Sequence, residues 1–534
     1  MHLQSVAIPI DADFGLIADL IRTHARRDPD HLALVDATQA LSYRELDTLM
    51  DRVAASLQRD GVQPRQSIAI CAGASVFYAA VFLGALRAGV VVAPLAPSET
   101  ARSLAAMLSD SAARLLFIDA AVAGSLGPDA GPGVPRIGLD SDAAETSLSA
   151  WLVPAATAPE SVAPGPDWAF NIIYSSGTTG VPKGIVQPHS MRWAQICRGG
   201  PAYGYGPGSV TLLATPLYSN TTLVVFLPTL AWGGTAVLMT RFNAAEYLRL
   251  AERHRATHTM LVPVQYQRLM ALPEFDRFDL SSFRLKFCTS APFAAALKAD
   301  VLARWPGGLV EFYGMTEGGG SCALVAHEHP DKLHTVGKPM EGHDVRLIDD
   351  AGREVAPGEM GEVVGRSATM MTGYHGQPAK TREAEWFSPE GERFIRTGDV
   401  GRFDDVGFLT LLDRKKDMVI SGGFNIYPSD LESVLREHPA VADAAVVGVP
   451  SERWGETPVA FVVPAGTVRN GTVPDATVPT AAELLDWFNA RIGKTQRLAD
   501  LRYIGDLPRS AIGKVLKRQL RDDYTRRDTD KAAS

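Results

Sequence analysis

Between Phe14 and Asp119 the apolar residues follow two alternating rhythms. From Phe14 to Arg27 they recur three and four apart, the period of a helix with one buried face, whereas Leu32-Ala33-Leu34-Val35-Asp36 is the short apolar run of a strand. Ser42, followed three residues later by Glu45, predicts a capping box that opens the next helix. A strand is expected over 67–72, then a helix closing at Ala88-Gly89, where glycine suits a C-terminal cap. The unit repeats as a strand over 90–95, a helix over 100–112 and a strand over 115–119. Repeated strand-helix-strand alternation predicts parallel sheets with helices packed on their faces.

The stretch from Ala121 to Pro164 is rich in Gly, Pro, Ala and Ser and is expected to loop over the surface. Phe170–Tyr174 predicts a strand that opens into a glycine-rich turn, and alternation resumes between 210 and 340. Residues 199–240 carry no charge, but the apolar part (222–234) is broken by Pro228, Gly233 and Gly234. It is short for a bilayer-spanning helix of about 20 residues, so a buried helix followed by a buried strand is expected. Residues 345–365 predict a hairpin with a return strand, hence a mainly β subdomain. A boundary falls at the charge cluster 413–417, giving a large domain over 1–413 and a small α+β domain over 414–534. Within the latter, loop 465–480 is expected to be exposed and the charged terminus from Arg521 to fray.

Composition narrows the class. The chain has 534 residues, 46% of them hydrophobic, which is too long for one ordinary domain and excludes disorder, collagen and a disulfide scaffold. With 52 Lys and Arg against 60 Asp and Glu, net charge −8, there is no electrostatic reason for binding nucleic acid or an anionic membrane. Four cysteines, Cys71, Cys197, Cys288 and Cys322, form no CxxC and suit a reducing cytoplasm, Cys71, Cys197 and Cys288 as small apolar core residues. The amino terminus shows no signal-peptide pattern.

The strongest chemical signal is Tyr174-Ser175-Ser176-Gly177-Thr178-Thr179-Gly180-Val181-Pro182-Lys183-Gly184. Hydroxyls and glycines after a strand make a loop whose N–H and O–H groups face phosphate oxygens, with a lysine to offset charge. The order is not that of a Walker loop. Glu317, after Thr316, offers a hard carboxylate ligand suited to magnesium. Asp399 offers two acceptors to ribose hydroxyls, and Lys514 lies in a basic stretch with Arg509, Lys517 and Arg518. Taken singly, each of these has an ordinary surface reading.

Together they resemble the AMP-forming acyl-adenylate superfamily: acyl- and aryl-CoA ligases, peptide-synthetase adenylation domains and firefly-type luciferases. The resemblance runs in order through the 174–184 loop, Tyr313-Gly314-Met315-Thr316-Glu317, Thr397-Gly398-Asp399, Asp413-Arg414-Lys415-Lys416-Asp417, Ser421-Gly422-Gly423 with Tyr427-Pro428, and Pro508 to Lys514. It implies an α/β fold, a large domain of parallel-sheet subdomains plus a β subdomain, and a small mobile α+β domain. It implies ATP, Mg2+ and coenzyme A, a carboxylic acid substrate, no nucleic acid, no membrane-spanning segment, and leaves a homodimer open. Ser175, Ser176, Gly177, Thr178, Thr179, Gly180 and Lys183 then belong to the phosphate loop, Thr178 and Lys183 being catalytic. By the same resemblance Tyr313 and Gly314 border adenine, Thr316 meets phosphate, Glu317 binds magnesium, and Asp399 with Arg414 holds ribose. Lys514 is the adenylation lysine, Lys416 the hinge, and Gly422-Gly423 the path for the pantetheine arm.

The implied acyl pocket comprises Trp193, Tyr218, Ser219, Asn220, Ser290, Ala291, Gly314, Met315, Gly319 and Gly320, with Gly318-Gly319-Gly320 leaving its far end open. Ser219 stands where many CoA ligases of the family carry a histidine. His189 is read as local structure and Arg192 as a helix-surface residue, or else as a receptor for a second carboxylate. The expected reaction is activation of a medium-sized or aromatic carboxylic acid to acyl-AMP, then transfer to CoA. The alternatives are loading of a carrier-protein thiol and a non-catalytic nucleotide-binding role.

Overall fold

The computed structural model describes residue 10 and the segments 12–126, 133–140, 143–175, 183–421, 424–451, 453–465, 478–510 and 513–533. The chain divides into two compact units: residues 1–345 with 364–395, and residues 346–363 with 396–534.

The first unit contains two large sheets among its described residues. In one, the parallel strands Leu32–Val35, Thr235–Leu238, Val210–Leu213, His258–Leu261, Leu285–Cys288 and Gly308–Tyr313 lie side by side. Most of their residues are buried, Val, Leu and Ala predominating, although Thr211, His258, Thr259, Lys286 and Glu311 are buried there too. In the other, Ser67–Cys71 pairs in parallel with Val91–Leu95 and Leu116–Ile118. The edge carrying Ala169–Ser175 and Lys183–Pro188 is an antiparallel pair, so the phosphate-loop sequence joins two adjacent strands.

Local rules explain the helices. Ser42 Oγ accepts from Glu45 N at 3.3 Å and Glu45 Oε2 accepts from Ser42 N at 2.8 Å, the reciprocal box opening helix Tyr43–Arg59. Gly89, with φ +68°, follows helix Val76–Arg87 as expected of a left-handed cap. The uncharged stretch forms helix Asn220–Ala231, almost wholly buried, and then strand Thr235–Leu238. Among the described residues no helix is long and apolar enough to cross a membrane.

Two expectations are corrected. The Gly/Pro-rich stretch 121–164 is not merely surface loop: Arg136–Gly138 and Thr146–Ser147 add two parallel strands to the second sheet. Ile137, Leu148 and Trp151 are buried there, with Trp151 Nε1 donating to Asp60 Oδ2 at 2.6 Å. Strands of two or three residues show no periodicity, so the pattern could not reveal them. The carboxyl terminus is helical over Lys517–Ala533, seated by the buried Leu520 and by Tyr524, whose ring meets Phe461 at 6.3 Å.

The second unit has the expected α+β character. Val441–Ser451 and Gly455–Pro464 form a long antiparallel pair, Asp500–Tyr503 joins in parallel, and helices Pro428–Arg436 and Ala481–Asn489 cover them. Val419, Leu431, Leu435, Val446, Val462, Leu484 and Phe488 make its core.

Candidate active site

In the first unit, strand Gly308–Tyr313 ends in the segment that carries Met315, Thr316 and Glu317. Glu317 is half-buried, and its Oε1 accepts from the hydroxyl of Tyr374 at 2.9 Å. Among the described residues its other oxygen has no hydrogen-bond partner. Tyr374 is held in turn by the pairing of Gly373–Tyr374 with Val186 and Ile185 on the strand that follows the phosphate loop. That strand also begins with Lys183, whose ammonium lies 5.1 Å from the centre of the Tyr374 ring. One tyrosine therefore orients a carboxylate and stands beside a cation; burial and the Glu317 charge both push its phenol pKa up. The open carboxylate oxygen suits a hard divalent cation such as Mg2+. Among the described residues no group of three or more His, Cys, Asp or Glu is arranged to hold a metal ion, so an ion at Glu317 would take most of its ligands from phosphate and water.

Arg192 corrects the helix-surface expectation. It is 1% exposed, and all five N–H groups are committed to neutral amide oxygens. Nε and Nη2 donate to Asn171 Oδ1 at 3.3 and 3.2 Å, and Nη1 donates to Gln195 Oε1 and Asn220 Oδ1, each at 2.9 Å. Nη2 also donates to Gln187 Oε1, and the guanidinium lies 5.8 Å from the centre of the Phe170 ring. No donor remains for a second carboxylate. Burial lowers its pKa to about 9, which still leaves it charged at neutral pH. Gln187 extends the network, its Nε2 donating to the Thr316 carbonyl at 2.7 Å and to Asn220 Oδ1 at 3.3 Å. The strands flanking the phosphate loop, the start of helix Asn220–Ala231 and the Thr316 segment are thereby tied to one cation.

The other pocket residues fall in several places. Ser219 caps helix Asn220–Ala231, its Oγ accepting from Thr221 N at 3.3 Å. Ser290 has φ +84°, a strained value for a non-glycine residue, and shares a 2.7 Å hydroxyl contact with Thr221; Ala291 follows it, half-buried. Tyr218 is half-buried, its phenol pushed up to about 12, chiefly by burial. Trp193 is brought to the amino-terminal segment: its Nε1 donates to Ala12 O at 3.1 Å and its ring packs on Gly15. His189, buried at 5.0 Å from the Phe170 ring, is local structure, burial lowering its pKa to about 4.

The glycine run does not open the far end. A Cβ on Gly318 would lie 1.7 Å from Thr369 O, one on Gly319 2.7 Å from Gly365 O, and one on Gly320 2.6 Å from Val345. Gly318 and Gly319 also hold φ at +75° and +93°. These residues are glycine so that backbone can meet backbone. Gly314 has Ser321 Oγ 2.8 Å from its Cβ position, Tyr313 is buried at the strand end, and Met315 packs beside Met371 and Tyr374.

The second unit gathers the remaining candidates. Asp399 and Arg414 lie opposite each other on paired strands, with Arg414 Nε 3.1 Å from Asp399 Oδ1. Thr397 Oγ1 accepts from Asp399 N at 3.0 Å. Lys514 sits in a tight turn in which Ser510 N donates to Lys514 O at 2.8 Å and Arg509 Nη1 donates to Gly513 O at 2.8 Å. Burial, then the Arg414 charge, lower the Lys514 ammonium to about 8, against the opposing pull of Asp399. Lys416 follows the end of strand Leu409–Arg414, in the turn where Asp417 N donates to Arg414 O at 2.9 Å. Lys517 is committed elsewhere, paired with Glu432 at 2.9 Å. Ser176, Gly177, Thr178, Thr179, Gly180, Gly422 and Gly423 lie outside the described residues, as does the side chain of Ser175.

Sequence reasoning missed the Asn171, Gln187 and Gln195 amides and Tyr374. Neutral amides carry no chemical signature in a sequence, and Tyr374 stands 57 positions from Glu317.

Comparison with known proteins gives the family. The model of the AMP-binding enzyme family matches residues 21–375, and that of the AMP-binding enzyme C-terminal domain matches 430–514. A feruloyl-CoA synthase from Amycolatopsis sp. is 33% identical over 93% of this chain and 96% of its own. A fatty acid–[acyl-carrier-protein] ligase, ScoC, from Streptomyces coeruleorubidus is 30% identical over 94% of this chain and 95% of its own. The solved amide bond synthetase McbA from Marinactinospora thermotolerans superposes with a TM-score of 0.83 at 28% identity, covering 95% of this chain and 99% of that one. The chain belongs to the AMP-binding enzyme family, and within it to the AMP-forming, ATP-dependent ligases.

Proposed function

We propose that this protein activates a medium-sized or aromatic monocarboxylic acid with ATP and passes the acyl group to coenzyme A. The observation that carries the reading is the Glu317–Tyr374–Lys183 arrangement, a carboxylate with one oxygen pinned and one open beside a lysine at the end of the phosphate-loop sequence. Such a set favours the triphosphate of ATP as ligand. Mg2+ held at Glu317 would supply charge neutralisation to the phosphates.

In the first half-reaction a carboxylate oxygen of the acid attacks the α-phosphorus of ATP. The P–O bond to pyrophosphate breaks, and an acyl adenylate results. Lys514 provides positive charge where two anions are brought together, and Asp399 with Arg414 orients the ribose. In the second half-reaction the thiol of CoA loses its proton to solvent, its sulfur attacks the carbonyl carbon, and the C–O bond to the phosphate breaks, releasing AMP. The turn at Lys416 is the proposed pivot between the two. Lys416→Pro is expected to slow thioester formation more than adenylation; equal rates in both would place the pivot elsewhere.

The feruloyl-CoA synthase relative supports CoA as acceptor and an aryl acid as substrate. The carrier-protein ligase and amide bond synthetase favour a second reading, transfer to a carrier thiol or an amine. AMP release from a panel of carboxylic acids, each with CoA, a carrier protein or an amine, tests both. Turnover of aryl acids with CoA supports the proposal, and AMP release only with another acceptor overturns it in favour of the second reading.

A further inference from the structure

The Arg192 network determines which way its four amides face. A guanidinium only donates, so each amide that touches it must present oxygen, and each NH2 group must point away. Gln187 spends its nitrogen on Thr316 O and Asn220 Oδ1, and Asn171 spends one N–H on Gln187 Oε1 at 3.0 Å. Asn220 differs. Its oxygen is taken by Arg192 and Gln187, while among the described residues its Nδ2 has no hydrogen-bond partner. The residue is half-buried, at the start of helix Asn220–Ala231. Gln187 links it to the Thr316 carbonyl, one residue before Glu317.

We propose that Asn220 Nδ2 donates a hydrogen bond to an oxygen acceptor of the carboxylic acid, and that Arg192 is the positioning residue that holds the amide in this orientation. The inference rests on the acid-activating reading above and adds a substrate class: acids whose bound form offers an acceptor oxygen at the start of this helix. Two sources share that chemistry, a substituent on the acyl group and the reacting carboxylate itself. The buried charge of Arg192 has no carboxylate partner among the described residues. It therefore polarises the Asn220 amide and makes its N–H groups better donors than those of a free asparagine. Lysine, a point charge with three donors, cannot reproduce the five-donor fork.

The decisive variant is Asn220→Asp. A carboxylate still accepts from Arg192, now with opposite charge, so the fold is retained and the thermal midpoint is not expected to fall. It donates nothing outward at neutral pH. Pyrophosphate release is measured for a methoxy-substituted aryl acid and for its ethyl isostere, with ATP varied separately. Loss of about tenfold in kcat/KM confined to the methoxy acid identifies the substituent as the acceptor. An equal loss for both acids, with KM for ATP unchanged, identifies the carboxylate. Unchanged kcat/KM for both acids, or a parallel rise in KM for ATP, overturns the proposal.

Arg192→Met tests the positioning half. It is expected to reproduce the loss on the acid while leaving KM for ATP within about twofold; a fall in thermal midpoint with acid and ATP parameters affected alike assigns Arg192 a purely structural role. If the wild-type protein releases pyrophosphate with the acids yet Asn220→Asp changes nothing, this inference fails and the ligase reading stands. If no acid elicits release, both fail.

Discussion

Arg192 in the first unit and Lys514 in the second are cations withdrawn from solvent to different degrees, and the two are held in opposite ways. Arg192 in the first unit is surrounded by neutral amide oxygens that use every donor. Lys514 in the second shares its surroundings with another cation, Arg414, and with the carboxylate of Asp399. Burial lowers both, Arg192 to about 9 and Lys514 to about 8. The first keeps its charge throughout the physiological range and so serves geometry. The second stands near the edge of that range, where a charge required for one step can be modulated.

The sharpest way to break this comparison is Lys514→Ala. Adenylation, followed by acid-dependent ATP–pyrophosphate exchange, is expected to fall about 100-fold or more, while thioester formation from supplied acyl-AMP changes little. Equal loss in both half-reactions would remove the distinction. Next comes pH. The ammonium of Lys514 is present below about 8 and lost above it, so adenylation by wild type should decline as pH rises through about 8, approaching tenfold per pH unit. Lys514→Arg is expected to flatten that decline. Stability has the opposite sign: a base whose folded pKa is depressed from 10.5 to about 8 costs stability while both states are charged, and the cost disappears as pH rises through that window. Equilibrium unfolding of wild type and Lys514→Ala across pH 7–10 measures it.

Changes in the first unit should lack this titration. Glu317→Gln is expected to raise the Mg2+ concentration that half-saturates nucleotide binding about tenfold, measured by ligand fluorescence without turnover. Tyr374→Phe, which releases one carboxylate oxygen, should raise it about threefold. A shift in the pH midpoint of adenylation in either variant would mean that the first unit sets the titration. The smallest functional effect is reserved for Ser42→Ala. It removes the cap of helix Tyr43–Arg59, costs about 1 kcal/mol in unfolding, and leaves both pH profiles in place.

Much of this was legible before folding was considered. The helix opening at Ser42 and Glu45 was readable because caps are local, each partner within one turn. The phosphate-loop sequence, Glu317, Asp399 and Lys514 were singled out as candidates because ordered motifs carry chemical identity. The loop's own residues 176–182 lie outside the described structure, so its geometry adds nothing to that reading. The two short strands within 121–164 escaped because their neighbours, not their own pattern, stabilise them. Gly318 to Gly320 looked like open space, since a sequence does not show that Gly365 and Thr369 fill it.

The sequence by itself determined the α/β alternation, the order of the motifs and the identity of the charged groups, because hydrophobic period, capping and motif chemistry act over a few residues. Only the tertiary structure decided that Tyr374 grips Glu317, that Trp193 turns to the amino-terminal segment, and that Arg192 is buried among Asn171, Gln187, Gln195 and Asn220. The reason is physical. A buried polar group must find partners wherever the packed chain brings them, and Asn171 and Asn220 meet one guanidinium from different strands and helices at separations no local rule encodes.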